Sequence, residues 1–112
     1  MASKERRRSV RVGMPMDIEY SAGCPPIRAR VSDISVGGMF VETNYPLAPG
    51  SRIDFWFIIP KTPGQRPIKG SARVAWHDQA TGEGVTFDSL SEEDVNRIRL
   101  LVSMVRRTRA AA

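Results

Sequence analysis

Two short stretches of this chain hold residue types that could grip a ligand. The first is "RRRSVR", Arg6 to Arg11, four arginines within six residues. The second is "DISVGGMF", Asp33 to Phe40, in which an aspartate and a serine two apart share one face of an extended segment and precede two glycines. Arg7 and Arg11 are four apart, so in an extended chain they share a face at a separation of about 13 Å. Guanidinium forks bind phosphate bidentately and pair with guanine O6 and N7, while a carboxylate accepts from the Watson–Crick N–H groups of guanine. Arginines with Asp33 and Ser35 are therefore the donor and acceptor set that a phosphorylated guanine needs. Each stretch also has a plainer reading: a solvated basic arm for the first, a strand ending in a bulge or turn for the second.

The arginines and the Asp-x-Ser segment need a scaffold, and composition bounds it. The chain has 112 residues, one domain's worth, with 41% hydrophobic and 26% charged residues, ordinary for a globular protein. The net charge is +5, of which Lys4, Arg6, Arg7, Arg8 and Arg11 against Glu5 place +4 in residues 1–11 and leave +1 for the rest. A basic stripe on a near-neutral body points to an anionic ligand at one place rather than to nucleic acid tracked over a broad face. The single cysteine, Cys24, cannot form an internal disulfide and fits a reducing cytoplasm. No signal peptide is visible, and the longest apolar run, Phe55 to Ile59, is too short to cross a membrane.

Period-two alternation recurs along the chain. Met14, Met16, Ile18 and Tyr20 share one face of a first strand; Ile27, Ala29 and Val31 mark a second, ending near Asp33; "MFVET" is a short third. Ile53, Phe55, Phe57 and Ile59 alternate in the most apolar strand, read as central. A fifth strand, "IKGSARVAWH", is read with Ala72, Val74 and Trp76 on one face, and "GEGVTF" is a sixth. Six short strands with Gly/Pro turns predict a small all-β barrel or sandwich. The pattern then changes to a helix: Ser91 as N-cap, Glu92, Glu93 and Asp94 in the first turn, an apolar stripe through Val95, Ile98, Leu101 or Val102 and Val105, and Arg106, Arg107 and Arg109 complementing the dipole at the far end.

Enzyme chemistry finds no foothold. One histidine, His77, one cysteine and no carboxylate pair in a recognisable setting leave neither a metal constellation nor a nucleophile and base, and nothing local orients His77 toward Asp33 and Ser35.

Taken together, Arg7-Arg8-Ser9-Val10-Arg11 and Asp33-Ile34-Ser35-Val36-Gly37-Gly38 resemble the Arg-x-x-x-Arg and Asp/Asn-x-Ser-x-x-Gly motifs of the PilZ domain, a bacterial receptor module for cyclic di-GMP. The resemblance runs over nearly the whole chain, including Trp76 at a strand end and "GEGVTF" before a capped helix. It implies a six-stranded antiparallel β-barrel with a C-terminal α-helix, divided as a basic arm over 1–12, a barrel over 13–90 and a helix over 91–109. It assigns Arg7 and Arg11 to the ligand's phosphates and guanine edges, Asp33 and Ser35 to hydrogen bonds with a guanine base, and Gly38 to a close backbone approach. Arg6 is similar to an extra arginine that favours an intercalated pair of cyclic di-GMP molecules. Arg8, Gly37 and Trp76 are lesser candidates, Trp76 being first a core or rim aromatic, with Phe40 and Trp56 as packing residues.

The resulting expectation is a cytoplasmic receptor without cofactor or metal, whose self-repelling arginine arm orders across the barrel on binding and presents a changed surface to a partner protein. Two alternatives stand beside it: a ligand-independent PilZ-like interaction module, and a nucleic-acid-binding barrel. The second is disfavoured because aromatic residues make up 7% of the chain and no stacking ladder interleaves with basic positions.

Overall fold

The computed structural model describes residues 10–23, 25–60 and 64–111. Arg6, Arg7 and Arg8 of the arginine run, and Cys24, lie outside the described residues. Six strands, β1 (Val12–Ser21), β2 (Ile27–Ile34), β3 (Gly38–Glu42), β4 (Arg52–Phe57), β5 (Ile68–Asp78) and β6 (Gly82–Ser89), precede one helix, α1 (Glu92–Ala111). The strands close into an antiparallel barrel in the order β1-β2-β3-β6-β5-β4. Closure removes both sheet edges, so no strand is central; β4, the apolar strand, lies between β1 and β5 like any other stave. β1 starts at Val12, within the span read as arm.

The alternation decides which side chains fill the barrel. Met16, Ile18 and Tyr20 of β1, Ile53, Phe55 and Phe57 of β4, and Ala72 and Val74 of β5 are all buried. Four interruptions break the period. The ladder shifts register between Gly13 and Met16, between Val31 and Asp33, between Ser71 and Ala72, and between Val74 and Trp76. Bulges of this kind curl a sheet tightly enough to close, and each one re-aims the side chains beyond it. The last corrects the reading of β5: Ala72 and Val74 point inward, but the bulge turns Trp76 outward, where it is 42% exposed.

Ser91 caps α1, its hydroxyl accepting from the Asp94 N–H at 3.0 Å, and three acidic residues occupy the first turn. Ile98, Leu101 and Val102 are buried, and the helix packs on β1. At its far end the Arg109 guanidinium donates to the Gly13 carbonyl at 2.8 Å, so this arginine fastens the helix to the start of β1 besides complementing the dipole. Among the described residues no helix is long and apolar enough to cross a membrane.

Candidate functional site

The barrel brings Asp33 and Trp76, two of the residues singled out in the sequence, into one line. Gly13 of β1 pairs with Asp33 of β2, Asp33 with Phe40 of β3, Phe40 with Gly84 of β6, and Gly84 with Trp76 of β5. These five positions form a register row across five adjacent strands. Arg11, just before β1, closes one end: its Nη1 lies 3.0 Å from Asp33 Oδ1, with the two side chains 43% and 33% exposed. A guanidinium and a carboxylate distant in sequence thus meet in a solvent-facing ion pair.

Aromatic rings occupy the other end of the row. Phe40 and Trp76 pack with centroids 5.3 Å apart and planes inclined at 33°. The indole lies over Gly84, where a Cβ would stand 2.4 Å from Nε1. Glycine at that position is what lets the ring settle on the sheet. Trp56, by contrast, pairs with Glu19 and Lys69 on the β1-β4-β5 wall, outside the row. Beside Phe40 a groove of about 890 Å³ is lined by Arg28, Arg30, Glu42 and Tyr45 among others, extending the polar surface along β2 and β3.

Between the ion pair and the aromatics, the segment after Asp33 is tightly built. The Ser35 hydroxyl is buried, accepts from the N–H groups of Gly37 at 3.1 Å and Gly38 at 3.2 Å, and donates toward the Gly38 carbonyl at 3.3 Å. The Ser35 N–H donates to the same carbonyl at 2.8 Å. One donor and two acceptor sites of the hydroxyl are therefore all in use within the loop. Ser35 shapes the turn that carries Asp33, and its side chain faces inward. Gly38 sits where β3 and β6 approach: a Cβ would stand 2.1 Å from the Val85 carbonyl oxygen. The Gly37 carbonyl accepts from the Phe87 N–H at 3.0 Å, tying the same turn to β6.

Sequence reasoning passed over Glu83, which is fully buried inside the barrel. Its Oε1 accepts from the Leu47 N–H at 2.7 Å, while Oε2 is buried without a hydrogen-bond partner. Burial pushes this carboxyl above its ordinary range, against the opposing pull of the Leu47 N–H and of His77. Buried Tyr20 is likewise pushed up by burial, with Glu83 adding to it and a hydrogen bond to Thr43 opposing. His77 is oriented by a residue distant in sequence: Nδ1 is 2.8 Å from the Leu47 carbonyl, and since a carbonyl only accepts, Nδ1 carries the hydrogen. Glu83 and His77 thus hold the loop between β3 and β4 from both sides of one residue. The available signal was alternation, because Glu83 shares its period-two face with buried Val85.

A guanidinium and carboxylate side by side, leading along one row to two aromatic faces, suit a planar ligand that carries anionic charge and N–H donors. The sequence matches the PilZ domain family over residues 5–104. This chain belongs to the PilZ family. Solved structures share its fold. The Bacillus subtilis inhibitor of motility, MotI/DgrA, superposes with a TM-score of 0.74 at 20% identity over 92% of this chain and 51% of that one. Escherichia coli YcgR in complex with c-di-GMP gives 0.74 at 21% identity, over 95% and 49%. The PilZ domain of YcgR with c-di-GMP gives 0.65 at 19% identity, over 92% and 93%. The chain thus spans about half the length of MotI and of YcgR. No curated protein sequence matches it.

Proposed function

We propose that this PilZ domain is a receptor for cyclic di-GMP, read out by a partner protein in the bacterial cytoplasm. The observation that carries the reading is the solvent-facing Arg11–Asp33 pair at the head of the row that ends on Trp76. Similarity to two YcgR structures that contain c-di-GMP supports the choice of ligand.

The two charged groups satisfy each other. An exposed pair of this kind is worth no more than about 1 kcal/mol, so a ligand can part it at little cost. Arg11 then turns to phosphate and guanine, and Asp33 accepts from a guanine N–H edge. Arg7 forms the second jaw, Arg6 favours entry of two intercalated nucleotides, and Arg8 contributes least. Ser35, Gly37 and Gly38 act by fixing the turn that presents Asp33, a role for Ser35 different from the direct hydrogen bond that the family resemblance implied. Trp76 offers its exposed ring to a base at the far end of the row.

Isothermal titration with cyclic di-GMP, with GTP and GMP as controls, tests the reading: selective binding supports it, and no heat at saturating cyclic di-GMP overturns it. A stoichiometry of one nucleotide per chain would remove the intercalated pair. Ordering of the arm across the barrel is tested by amide exchange over residues 4–12, which is expected to slow on addition of ligand; unchanged exchange at saturation would refute the clamp.

A further inference from the structure

A second surface, formed by α1 rather than by the Asp33 row, has the features of a docking site. A groove of about 910 Å³ runs between the helix and the barrel wall, lined among others by Met14, Ile59, Leu100, Leu101, Met104 and Val105. Leu100 and Met104, four apart and so on one face of the helix, are 59% and 55% exposed. An amphipathic helix with its inner stripe already buried at Ile98, Leu101 and Val102 would ordinarily carry polar residues there.

Charge says what would cover this face. After Asp94 the chain carries five arginines, Arg97, Arg99, Arg106, Arg107 and Arg109, and no acidic residue. Toward the start of the helix the rim is neutralised locally, Arg66 by Glu93 at 2.7 Å and Arg97 by Asp94 at 3.1 Å. Toward its end, none of the ion pairs among the described residues involves Arg106, Arg107 or Arg109. The groove is therefore apolar along its floor and uncompensated in positive charge at one end. A bilayer needs a broad apolar face, and only Leu100 and Met104 stand out from this helix, too little for insertion.

We propose that this groove docks the apolar face of an acidic amphipathic helix belonging to a partner protein. Two apolar anchors, Leu100 and Met104, meet the partner's i, i+3, i+4 stripe, and Arg107, three residues past Met104, meets carboxylates at its rim. The contact is small, so the complex is transient, in the micromolar range, and weakens with salt. It is separate from the nucleotide row: the proposal stands whether or not cyclic di-GMP binds.

The probe is a fluorescein-labelled synthetic helix of roughly 18 residues with leucine at i, i+3, i+4 and i+7 and glutamate on the opposite face, titrated with the full chain. Saturable binding is expected, about tenfold weaker for the double variant Leu100→Ser with Met104→Ser, whose fold is checked by circular dichroism. Arg107→Gln, three residues past Met104 on the same face, is expected to weaken binding at low salt and to flatten its salt dependence. Cyclic di-GMP affinity of both variants should equal that of the parent, so loss of one activity is distinguishable from loss of the other. Equal affinity of parent and Ser variants, or equal binding of a lysine-for-glutamate probe, would overturn the proposal. So would binding to phosphatidylglycerol vesicles, or self-association in sedimentation, if either is abolished by the Ser variants, since the face would then belong to a membrane or to a second copy.

Discussion

The Trp76 indole rests on Gly84, close enough that a Cβ at position 84 would stand 2.4 Å from its Nε1 and 2.5 Å from Cε2. Phe40 packs against the same indole, so one glycine seats both aromatic rings of the row. Gly84→Ala must lift the ring or part the strands, and such overpacking costs about 1–3 kcal/mol. Urea unfolding in a Trp56→Phe background reads the loss of stability, and fluorescence in the same background reports on Trp76 alone. Unaltered emission and midpoint would mean that the indole does not lie on Gly84.

Stability and binding should separate at the ion pair. Arg11→Ala and Asp33→Ala each remove one member of a solvent-facing pair, so the unfolding midpoint is expected to move by less than about 1 kcal/mol. Cyclic di-GMP affinity is expected to fall by about tenfold or more in both, because the proposed function gives each group charge-assisted hydrogen bonds to the ligand. Calorimetry on chains shown by thermal melt to be folded checks this; binding that survives both substitutions would dismiss the row as the site.

Ser35 and Gly38 should behave in the opposite way. Ser35→Ala strips the buried acceptor from two N–H groups and is expected to cost about 1–3 kcal/mol. Gly38→Ala drives a methyl against the Val85 carbonyl and must open the β3-β6 ladder, with a loss at least as large. Denaturant melts measure both. A Ser35→Ala chain with parental stability and no nucleotide binding would restore a direct ligand contact for the hydroxyl.

Glu83 sets a dependence on pH. Its folded-state carboxyl is raised by burial, so the folded chain holds that proton more tightly than the unfolded chain does. The stability this contributes is complete below the unfolded carboxylate range and is lost as pH rises through the raised folded value. Glu83→Gln keeps an oxygen to accept the Leu47 N–H and is neutral throughout. The stability of the variant relative to the parent is therefore expected to rise across the interval from the ordinary glutamate value, about 4.3, to the raised folded value. Parallel profiles for the two chains would show that Glu83 does not titrate in this interval.

Local pattern carried most of the fold. Alternation at Met16, Ile18 and Tyr20, and at Ile53, Phe55 and Phe57, marks inward faces because side chains on a strand point to opposite sides in turn. Ser91 with three acidic residues after it marks a helix start because free N–H groups need an acceptor and the dipole favours negative charge. Asp33 and Arg11 were legible from their motif spacing as residues of one proposed site, and the fold pairs them at 3.0 Å. Where the period broke, local reading failed: Trp76 was placed with Ala72 and Val74, yet a single bulge sent it outward.

Sequence by itself determined six strands, a capped helix and the chemical types gathered in Arg11, Asp33, Ser35 and Gly38, since these follow from short-range periodicity and residue chemistry. Tertiary structure alone decided that Gly13, Asp33, Phe40, Gly84 and Trp76 form one row, because cross-strand register is fixed by barrel closure and its bulges. It also decided that the Ser35 hydroxyl turns inward to its own loop, that Gly38 is required by the Val85 carbonyl, and that Glu83 is buried beneath Leu47. The row, the Gly38 approach and the Glu83 contact depend on atoms brought together from segments far apart in the chain, where spacing along the sequence carries no record of distance in space; the Ser35 bonds are local, and the conformation of its turn decides them.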